Sequence, residues 1–534
     1  MKAVYLSNLF LTPKLYHMPF FDFHCHPGLK PQFSNPASKP SPWDFINAKL
    51  ALSKDIKLSI NKLFNEVLNS QSNLTQLLQS DVKLIGLILH APEKKIGQAL
   101  NEKKIVNKGS VNLIDKTQLA YLATGEHSFE LINEELRWLK AAAPPTPNAK
   151  LKILNKADEY DETDNNTVFG VIIIEGLHCF FNNPDAADAK EVFTQNFNNF
   201  TNNNTVLAIN ICHMQQNAFC NHAHGIQLFN PSYFFPRENG ITDWGKEVIQ
   251  MMVAKKILVD IKHMSLKARK DLYRLYNENG DNNYLQPIIC THAGTTGIPM
   301  IKCVDYLYRK PKKLEDVYEV SYLKPKSRHD EETYHNCSSI NLYDEDIEII
   351  FLSGGIVGLS FDQRILGFAD ENVLTNVTVP HDVEYISHRE AATFFGPGNP
   401  SDLPLCINDD IVWKSEDFDN LKPVLYIDMH RRFLINNIIH ILWVAHNHPG
   451  IDIKKAAKQI CIGTDFDGLI NAIDCCKEAT GLQQLKEDMK EGMINMLELI
   501  GLDAVFNNVD NLLDDIFYNN GKNFVLNRIK FMKG

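Results

Sequence analysis

The sequence predicts an α/β fold, a (β/α)8 TIM barrel with large loop insertions, on three observations. Eight short apolar runs recur along the 534 residues, segments with helical features lie between several of them, and most runs end in a polar residue. Runs that are apolar on both faces are typical of parallel strands covered by helices. Strands that alternate with helices in this number indicate a closed barrel.

The first four predicted strands are continuous aliphatic and aromatic runs. They are "PFFDFHCH", "VKLIGLILH", "VFGVIIIEGLH" and "TVLAINICH", at residues 19–26, 82–90, 168–178 and 205–213. Because side chains alternate along a strand, His24 and His26 point the same way at the end of the first run. Two imidazoles that emerge together are suited to binding a metal ion.

The last four predicted strands follow the same pattern, and predicted helices separate several of them. The runs are "KILVDIKH", "QPIICTHAG", "GGIVGLSFD" and "QICIGTDFDG", at residues 256–263, 286–294, 354–362 and 459–468. Thr242 is a predicted N-cap, and a second helix is predicted from Ser265 to about Gly280. "DEDIEIIFLSGG" and "RRFLINNIIHILWVAHNHPG" have the same helical character.

The excess length is predicted to lie in insertions within a single domain over residues 1–534. They fall at about 28–80, 91–165, 298–338 and 365–425, which are helical, charged or rich in Asn, Pro and Gly. Long insertions at the strand ends of a barrel are expected to form a lid over the site. Such a lid would admit only small substrates.

Composition excludes several classes of function. The net charge of −11 gives the chain no attraction to nucleic acid or to an anionic membrane surface. We find neither a signal peptide nor an apolar run of the roughly 20 residues that cross a bilayer. Cys212, Cys290 and Cys461 lie inside apolar strand-like runs, where reduced thiols are expected, and the lack of a CxxC pair among the 11 cysteines argues against a thiolate zinc knuckle. These features predict a cytoplasmic protein without a nucleic-acid or membrane partner.

The ends of the predicted strands carry the candidate functional residues. In a (β/α)8 barrel the carboxyl ends of all strands meet at one face, where active sites form. Histidine and carboxylate side chains are the ligands that zinc and similar divalent ions prefer. The strand ends therefore predict a metal site from His24, His26, Glu175, His213, His263, His292 and Asp465.

Five segments, taken in order, resemble motifs of the membrane (renal) dipeptidase family, the peptidase branch of the amidohydrolase superfamily. They are "IIIEGLHCF", "INICHMQQN", "GITDWGKEVIQMMVAKKILVDIKHMS", "PIICTHAG" and "ICIGTDFDG", within a match that spans residues 19–530. The resemblance implies a barrel of the metal-dependent hydrolase type that holds two divalent metal ions, expected to be Zn²⁺.

The resemblance also implies a role for each candidate residue. His24 and His26 would bind one metal ion, Glu175 would bridge to the second, and His263 and His292 would complete it. The catalytic residues would be His213, which touches the substrate carbonyl or oxyanion, and Asp465, which handles the proton of the attacking water. Both would also contact substrate.

The implied activity is that of a zinc-dependent, dipeptidase-like hydrolase. A metal-bridged hydroxide would cleave the amide bond of a dipeptide or a similar small substrate. Family members often form homodimers, so a homodimer is one expectation. Two alternatives stay open: an amidohydrolase acting on an N-acyl amino acid, lactone or cyclic amide, and a non-catalytic binding protein on a hydrolase barrel.

Three positions depart from the family pattern. His26 stands where the family has aspartate, and Ile340 stands where it has the arginine that holds the substrate carboxylate. Lys262, before His263, replaces a small residue and is expected by strand alternation to point away from that histidine. Arg328 and Arg364 are possible substitutes for the missing arginine.

Two further histidines complete the predictions. His90 ends the second run but has no counterpart in the family pattern. His335, in the insertion at 298–338, is expected at the surface.

Overall fold

The structure is a computed structural model. It describes residues 18–47, 67–102, 114–215, 217–225, 231–278, 280–367, 381–408, 411–412 and 423–534. The predicted insertions at about 28–80, 91–165 and 365–425 therefore lie partly outside the described residues.

The strands are short, and each is given with its bounds. They are β1 (Phe20–Cys25), β2 (Val82–Leu89), β3 (Lys150–Ile153), β4 (Thr167–Glu175), β5 (Val206–Asn210), β6 (Leu258–Asp260), β7 (Cys290–Ala293), β8 (Leu307–Lys313), β9 (Val317–Leu323), β10 (Val357–Leu359), β11 (His381–Ser387) and β12 (Ile460–Ile462). Each of the eight predicted runs contains one strand: β1, β2, β4, β5, β6, β7, β10 or β12. The predicted positions of these strands are confirmed.

The α-helices alternate with these strands over much of the chain. They are α1 (Leu74–Gln79), α2 (Lys94–Glu102), α3 (Lys116–Leu122), α4 (Ser128–Ala141), α5 (Ala189–Asn203), α6 (Asp243–Ala254), α7 (Leu266–Tyr276), α8 (Asp344–Leu352), α9 (Gln363–Leu366), α10 (Ala391–Phe395), α11 (Pro423–Asn447), α12 (Ile453–Ala456), α13 (Leu482–Leu499), α14 (Val509–Asp514) and α15 (Asn520–Lys533). None of the helices in the described ranges combines the length and apolar character that crossing a membrane requires.

Two parallel sheets carry the predicted strands, which confirms the α/β class. One sheet has the order β1-β2-β4-β5-β6, with β3 paired to β4, and the other has the order β12-β10-β7. Single parallel bridges link them at both sides, Cys25 with Phe466 and Asp260 with Ile289. At these bridges the N–H of His26 donates to the Phe466 carbonyl at 2.9 Å, and that of Ile261 to the Ile289 carbonyl at 2.9 Å.

The eight predicted strands are buried because both of their faces are covered, whereas β3, at the side of β4, is partly exposed. All nine residues of β4 are buried, and so are all eight of β2. Burial of one large aliphatic side chain stabilises a fold by roughly 1.5–3 kcal/mol, so these runs supply much of the core. Gly86 lets β2 approach β1, since a Cβ atom there would lie 2.0 Å from the carbonyl oxygen of Phe23.

The predicted helix starts at Thr242 and Ser265 are confirmed. The hydroxyl of Thr242 accepts from the N–H of Gly245 at the start of α6, and that of Ser265 accepts from Ala268 at the start of α7. Each cap satisfies one backbone donor that a helix leaves free at its first turn. Helix α7 ends at Tyr276, a few residues before the predicted stop.

A third sheet was not predicted. Strands β8 and β9, from the insertion at 298–338, form an antiparallel sheet with β11, from the insertion at 365–425, in the order β11-β9-β8. A buried ion pair joins Lys324 to Asp382 at 2.7 Å. Charged residues exposed along β8 hid the strand in the sequence. The two insertions thus fold together as one unit.

Candidate metal centre

The structure brings all seven predicted site residues together around Glu175, at the end of β4. Its Oε1 lies 3.4 Å from Nε2 of His24 and 3.3 Å from Nε2 of His263. Nε2 of His26 lies 3.5 Å from Oε2 of Glu175, and Nε2 of His292 lies 3.9 Å from Oε1. Asp465 places Oδ1 3.3 Å from Nε2 of His26. His213 completes the group, with Nε2 3.8 Å from Oε1 of Glu175.

These side chains form three overlapping sets of possible metal ligands. They are His24, His26 and Glu175; Glu175, His263 and His292; and His24, His292 and Asp465, with the ligand atoms of each set within 4.8 Å of one another. Glu175 belongs to the first two, since a carboxylate has two oxygens. One anionic side chain therefore faces two groups of imidazoles.

The backbone is strained at two of these positions. His263 has φ 68° and Asp465 has φ 63°, both in the left-handed region that residues with a Cβ rarely adopt. Each lies a few residues past its strand, β6 or β12, in a turn that directs the side chain back to the centre. Such strain persists only where the surroundings enforce it, and it is typical of functional sites.

The donor set fits a divalent cation. Among the described residues, Nδ1 of His26 and both ring nitrogens of His263 are buried without a hydrogen-bond partner. Burial lowers the pKa of His26, His263 and His292 well below the usual value, so these imidazoles are neutral at pH 7. Neutral imidazole with a free lone pair is the form that binds zinc.

The two carboxylates differ in their protonation. Burial opposes ionisation of Glu175, but the neighbouring His213 and His24 outweigh it and bring its pKa well below the usual value. Burial raises the pKa of Asp465 to about 7, against the opposing effect of His24. Glu175 is therefore ionised at neutral pH, while Asp465 can exchange a proton.

A hydrogen-bond chain orients His24 from behind. Its Nδ1 lies 2.8 Å from the hydroxyl of Thr291 on β7, and that hydroxyl donates to the carboxylate of Asp260 at the end of β6. Because the Thr291 hydroxyl donates its hydrogen to Asp260, it can only accept a hydrogen bond from His24. The His24 ring therefore donates through Nδ1–H. The Nε2 lone pair of His24 then faces the centre, as metal binding requires.

Sequence reasoning missed Glu93, which follows β2. Its Oε1 lies 2.5 Å from Nδ1 of His213, and its Oε2 lies 3.2 Å from Nε2 of His90. The two histidines outweigh the effect of burial and keep the pKa of Glu93 well below its usual value. Nδ1 of His90 lies 2.9 Å from the Glu175 carbonyl. The only sequence signal was a histidine and a glutamate just after an apolar run.

Two predictions about single residues were wrong. Lys262 does not point away from His263 but is buried and lines the same cavity, because residues 261–264 form a turn in which strand alternation does not hold. Burial lowers its pKa. His335 is buried rather than exposed, with Nδ1 3.1 Å from the hydroxyl of Thr295.

A solved structure shares the fold that carries these buried histidines and carboxylates. A metallopeptidase from Rhodobacter sphaeroides, liganded with a phosphinate mimic of the dipeptide L-Ala-D-Ala, superposes with a TM-score of 0.51 at 14% identity, over 96% of this chain and 99% of that one. The chain therefore has the fold of that metallopeptidase.

Two further solved structures are dipeptidases. One, of metallopeptidase family M19, has a TM-score of 0.48 at 16% identity over 96% of this chain and 98% of its own. The probable dipeptidase PvdM from Pseudomonas aeruginosa has a TM-score of 0.46 at 11% identity, over 96% of each chain. No protein-family model and no curated protein sequence matches the chain. The predicted resemblance to the membrane dipeptidase family is confirmed at the level of the fold.

Proposed function

We propose that this protein is a metal-dependent hydrolase of the dipeptidase type, which cleaves the amide bond of a dipeptide or a similar small substrate. The observation that carries the proposal is the position of Glu175, whose two oxygens lie 3.3–3.5 Å from Nε2 of His24, His26 and His263. A buried carboxylate among several imidazoles is suited to holding divalent cations. The fold shared with a metallopeptidase supports the same activity.

We also propose that the two parallel sheets form one closed eight-stranded barrel in a single domain. The backbone bridges at Cys25–Phe466 and Asp260–Ile289 support it, because they join β1 to the end of β12 and β6 to β7. In such a barrel every site residue named above would lie at or just beyond the carboxyl end of its strand.

His24, His26 and Glu175 would hold one cation, and Glu175, His263 and His292 would hold a second, with Zn²⁺ the expected metal. Divalent cations at such a site act as Lewis acids, which polarise a carbonyl oxygen and lower the pKa of water to about 7. The protein would contribute the negative charge of Glu175 and the fixed direction of the imidazole lone pairs.

Asp465 and His213 would carry the proton and hydrogen-bond steps. Asp465 would accept the proton of the attacking water and return it to the leaving amine. The Nδ1–H of His213 donates a hydrogen bond to Glu93, so Nε2 could donate to the developing oxyanion only in a ring that carries a proton on both nitrogens. Glu93 would hold the ring in the orientation that directs Nε2 toward the substrate.

The experiment is hydrolysis of a dipeptide panel by purified protein loaded with zinc, with metal content measured on the same sample. We expect turnover that falls at least about 100-fold in His292→Ala and Asp465→Asn. Exposed His446→Ala is the control and should keep full activity. Unchanged activity in both site variants would overturn the assignment, and a protein that binds no zinc would instead favour a non-catalytic binding protein.

A second candidate is hydrolysis of an uncharged amide or a lactone. Ile340 favours it, because its apolar side chain, buried to 6% exposure, lines the cavity at the position that matches the family's arginine. Turnover of lactones or uncharged amides without turnover of dipeptides would support this candidate.

A further inference from the structure

Two departures from the family pattern, Lys262 and Ile340, are in contact. The ammonium of Lys262 donates to the backbone carbonyl of Ile340 at 3.2 Å, although the two residues are 78 positions apart. Lys262 is 2% exposed and lines the cavity that contains the candidate metal centre. A cation thus lies beside the position at which the resemblance expects an arginine side chain.

The ammonium of Lys262 lacks an anionic partner. Among the described residues no carboxylate forms an ion pair with it, and Asp260, Asp362 and Asp465 act on it only from a distance. A buried charge without a partner is costly, because the low-dielectric interior does not replace the lost hydration. Its single carbonyl contact leaves other ammonium protons free to donate. The cavity therefore presents a positive group suited to an anionic part of a ligand.

The other candidate arginines are committed elsewhere. Nε of Arg364 donates to Asp362 at 2.9 Å, and its terminal nitrogen pairs with the same carboxylate, so this pair is close to neutral. The guanidinium of Arg328 lies 4.5 Å from the centre of the Trp443 ring, and Arg328 is not among the residues that line the cavity. Arg364 also lines the cavity, but its charge is offset by Asp362, whereas Lys262 has no ion-pair partner among the described residues.

Much of the remaining cavity wall is apolar. Its aliphatic and aromatic side chains include Leu29, Phe33, Leu68, Ile96, Met214 and Ile470, and its further polar members are His224, Asn336, Ser338 and the paired Asp362 and Arg364. A largely apolar wall with an ammonium that lacks an ion pair favours a ligand that is charged at one point and otherwise apolar.

We infer that Lys262 binds the carboxylate of the substrate, and that the substrate is a dipeptide or N-acyl amino acid with an apolar side chain. This inference rests on the proposed function for the reaction, but it concerns binding and can be tested without turnover. A lysine ammonium is a single point charge rather than the planar fork of arginine. The site should therefore accept the carboxylate in more than one orientation.

The test compares equilibrium binding of 4-methylpentanoate and 4-methylpentan-1-ol, which contain no amide bond to cleave, to the zinc-loaded protein, by calorimetry. The wild type should bind the carboxylate ligand at least about tenfold more tightly, since a desolvated charge pair contributes strongly to affinity. Lys262→Met should abolish that preference, while Lys262→Arg should retain it and exposed Lys246→Met should not change it. No preference in the wild type, or one that survives Lys262→Met, would overturn the inference.

An exchange variant separates charge from mere structural support. The double variant Lys262→Ser, Ile340→Arg removes the cation at position 262 and introduces one at position 340. The preference for the carboxylate should therefore reappear. If Lys262 only held the loop at Ile340, both ligands would weaken equally in Lys262→Met and the exchange would restore nothing. Carboxylate preference without hydrolysis of leucyl-leucine would leave this inference standing and refute the proposed activity.

Discussion

Oε1 of Glu93 lies 2.5 Å from Nδ1 of His213, and both side chains are buried beside the candidate metal centre. The same carboxylate also accepts from the N–H of Met214 at 3.2 Å and faces Nε2 of His90. Three donors around one carboxylate favour its ionised form. His90 has an acceptor at each ring nitrogen; burial opposes its protonation, but Glu93 and Glu175 together outweigh burial and raise the pKa of His90 to about 9. Glu93 therefore fixes the proton positions of two histidines.

Replacement of this carboxylate should slow catalysis without removing metal. In Glu93→Gln we expect kcat to fall about 10–100-fold, because His213 loses the carboxylate that fixes the direction of its ring. Zinc content should remain that of the wild type, since Glu93 belongs to none of the ligand sets that contain Glu175. The measurement is steady-state kinetics on a dipeptide with metal analysis, and exposed Glu247→Gln is the matched control. An unchanged kcat would contradict the assigned role of Glu93.

Zinc should stabilise the folded protein through the same residues. Free zinc at 100 times its Kd adds about 2.7 kcal/mol per site to the free energy of unfolding. We expect zinc to raise the thermal midpoint of the wild type and a chelator to reverse the rise. His263→Ala should lose part of this gain and part of the bound zinc. An equal gain in His263→Ala and in the wild type would exclude His263 as a ligand.

The chain from Asp260 through Thr291 to His24 should influence metal affinity. Thr291→Val keeps the shape of the side chain but removes the hydroxyl that receives the Nδ1 proton of His24. We expect zinc affinity, measured by competition with a chelator, to fall about 10–100-fold. Thr194→Val on α5, away from the strand ends, is the control and should bind zinc normally. Wild-type affinity in Thr291→Val would show that the chain does not orient His24.

Glu384 on β11 should make stability depend on pH. It accepts from the N–H of Ser339 at 3.1 Å and from the Ser339 hydroxyl, but burial dominates and raises its pKa to about 7. In the unfolded chain the pKa of a glutamate is about 4.3. Between these two pKa values the folded state keeps Glu384 protonated, whereas the unfolded chain has released the proton. As pH rises from about 4.5 to 7, the folded state loses stability, on the order of 2–3 kcal/mol in total.

The measurement for Glu384 is the unfolding free energy of the wild type and Glu384→Gln from pH 4 to 8. The variant cannot ionise at this position, so it should match the wild type near pH 4 and become the more stable of the two by pH 8. A constant difference across this range would contradict the protonated state of Glu384. The metal centre should not affect the comparison, because the same ligands are present in both proteins.

The sequence predicted much of the fold because the strand signal is local. Continuous apolar runs such as 168–178 are buried on both faces, and this composition is visible without any knowledge of neighbours. Caps such as Thr242 depend on a side chain and a backbone group three residues apart, so they too are readable in the chain. The antiparallel sheet of β8, β9 and β11 was missed because its pairing joins residues as far apart as Val317 and Ser387, and because β8 is largely exposed.

The composition of the centre, too, came largely from the sequence, since His24, His26, Glu175, His263 and His292 stand at or just after predicted strand ends. What the sequence alone determined is which polar side chains reach one face of the sheet, because strand ends follow from local apolar patterns. Only the tertiary structure decided that Glu93 pairs with His213 and that Lys262 turns into the cavity toward Ile340. Those contacts depend on turns and on distances between remote segments, which no local pattern of residues encodes.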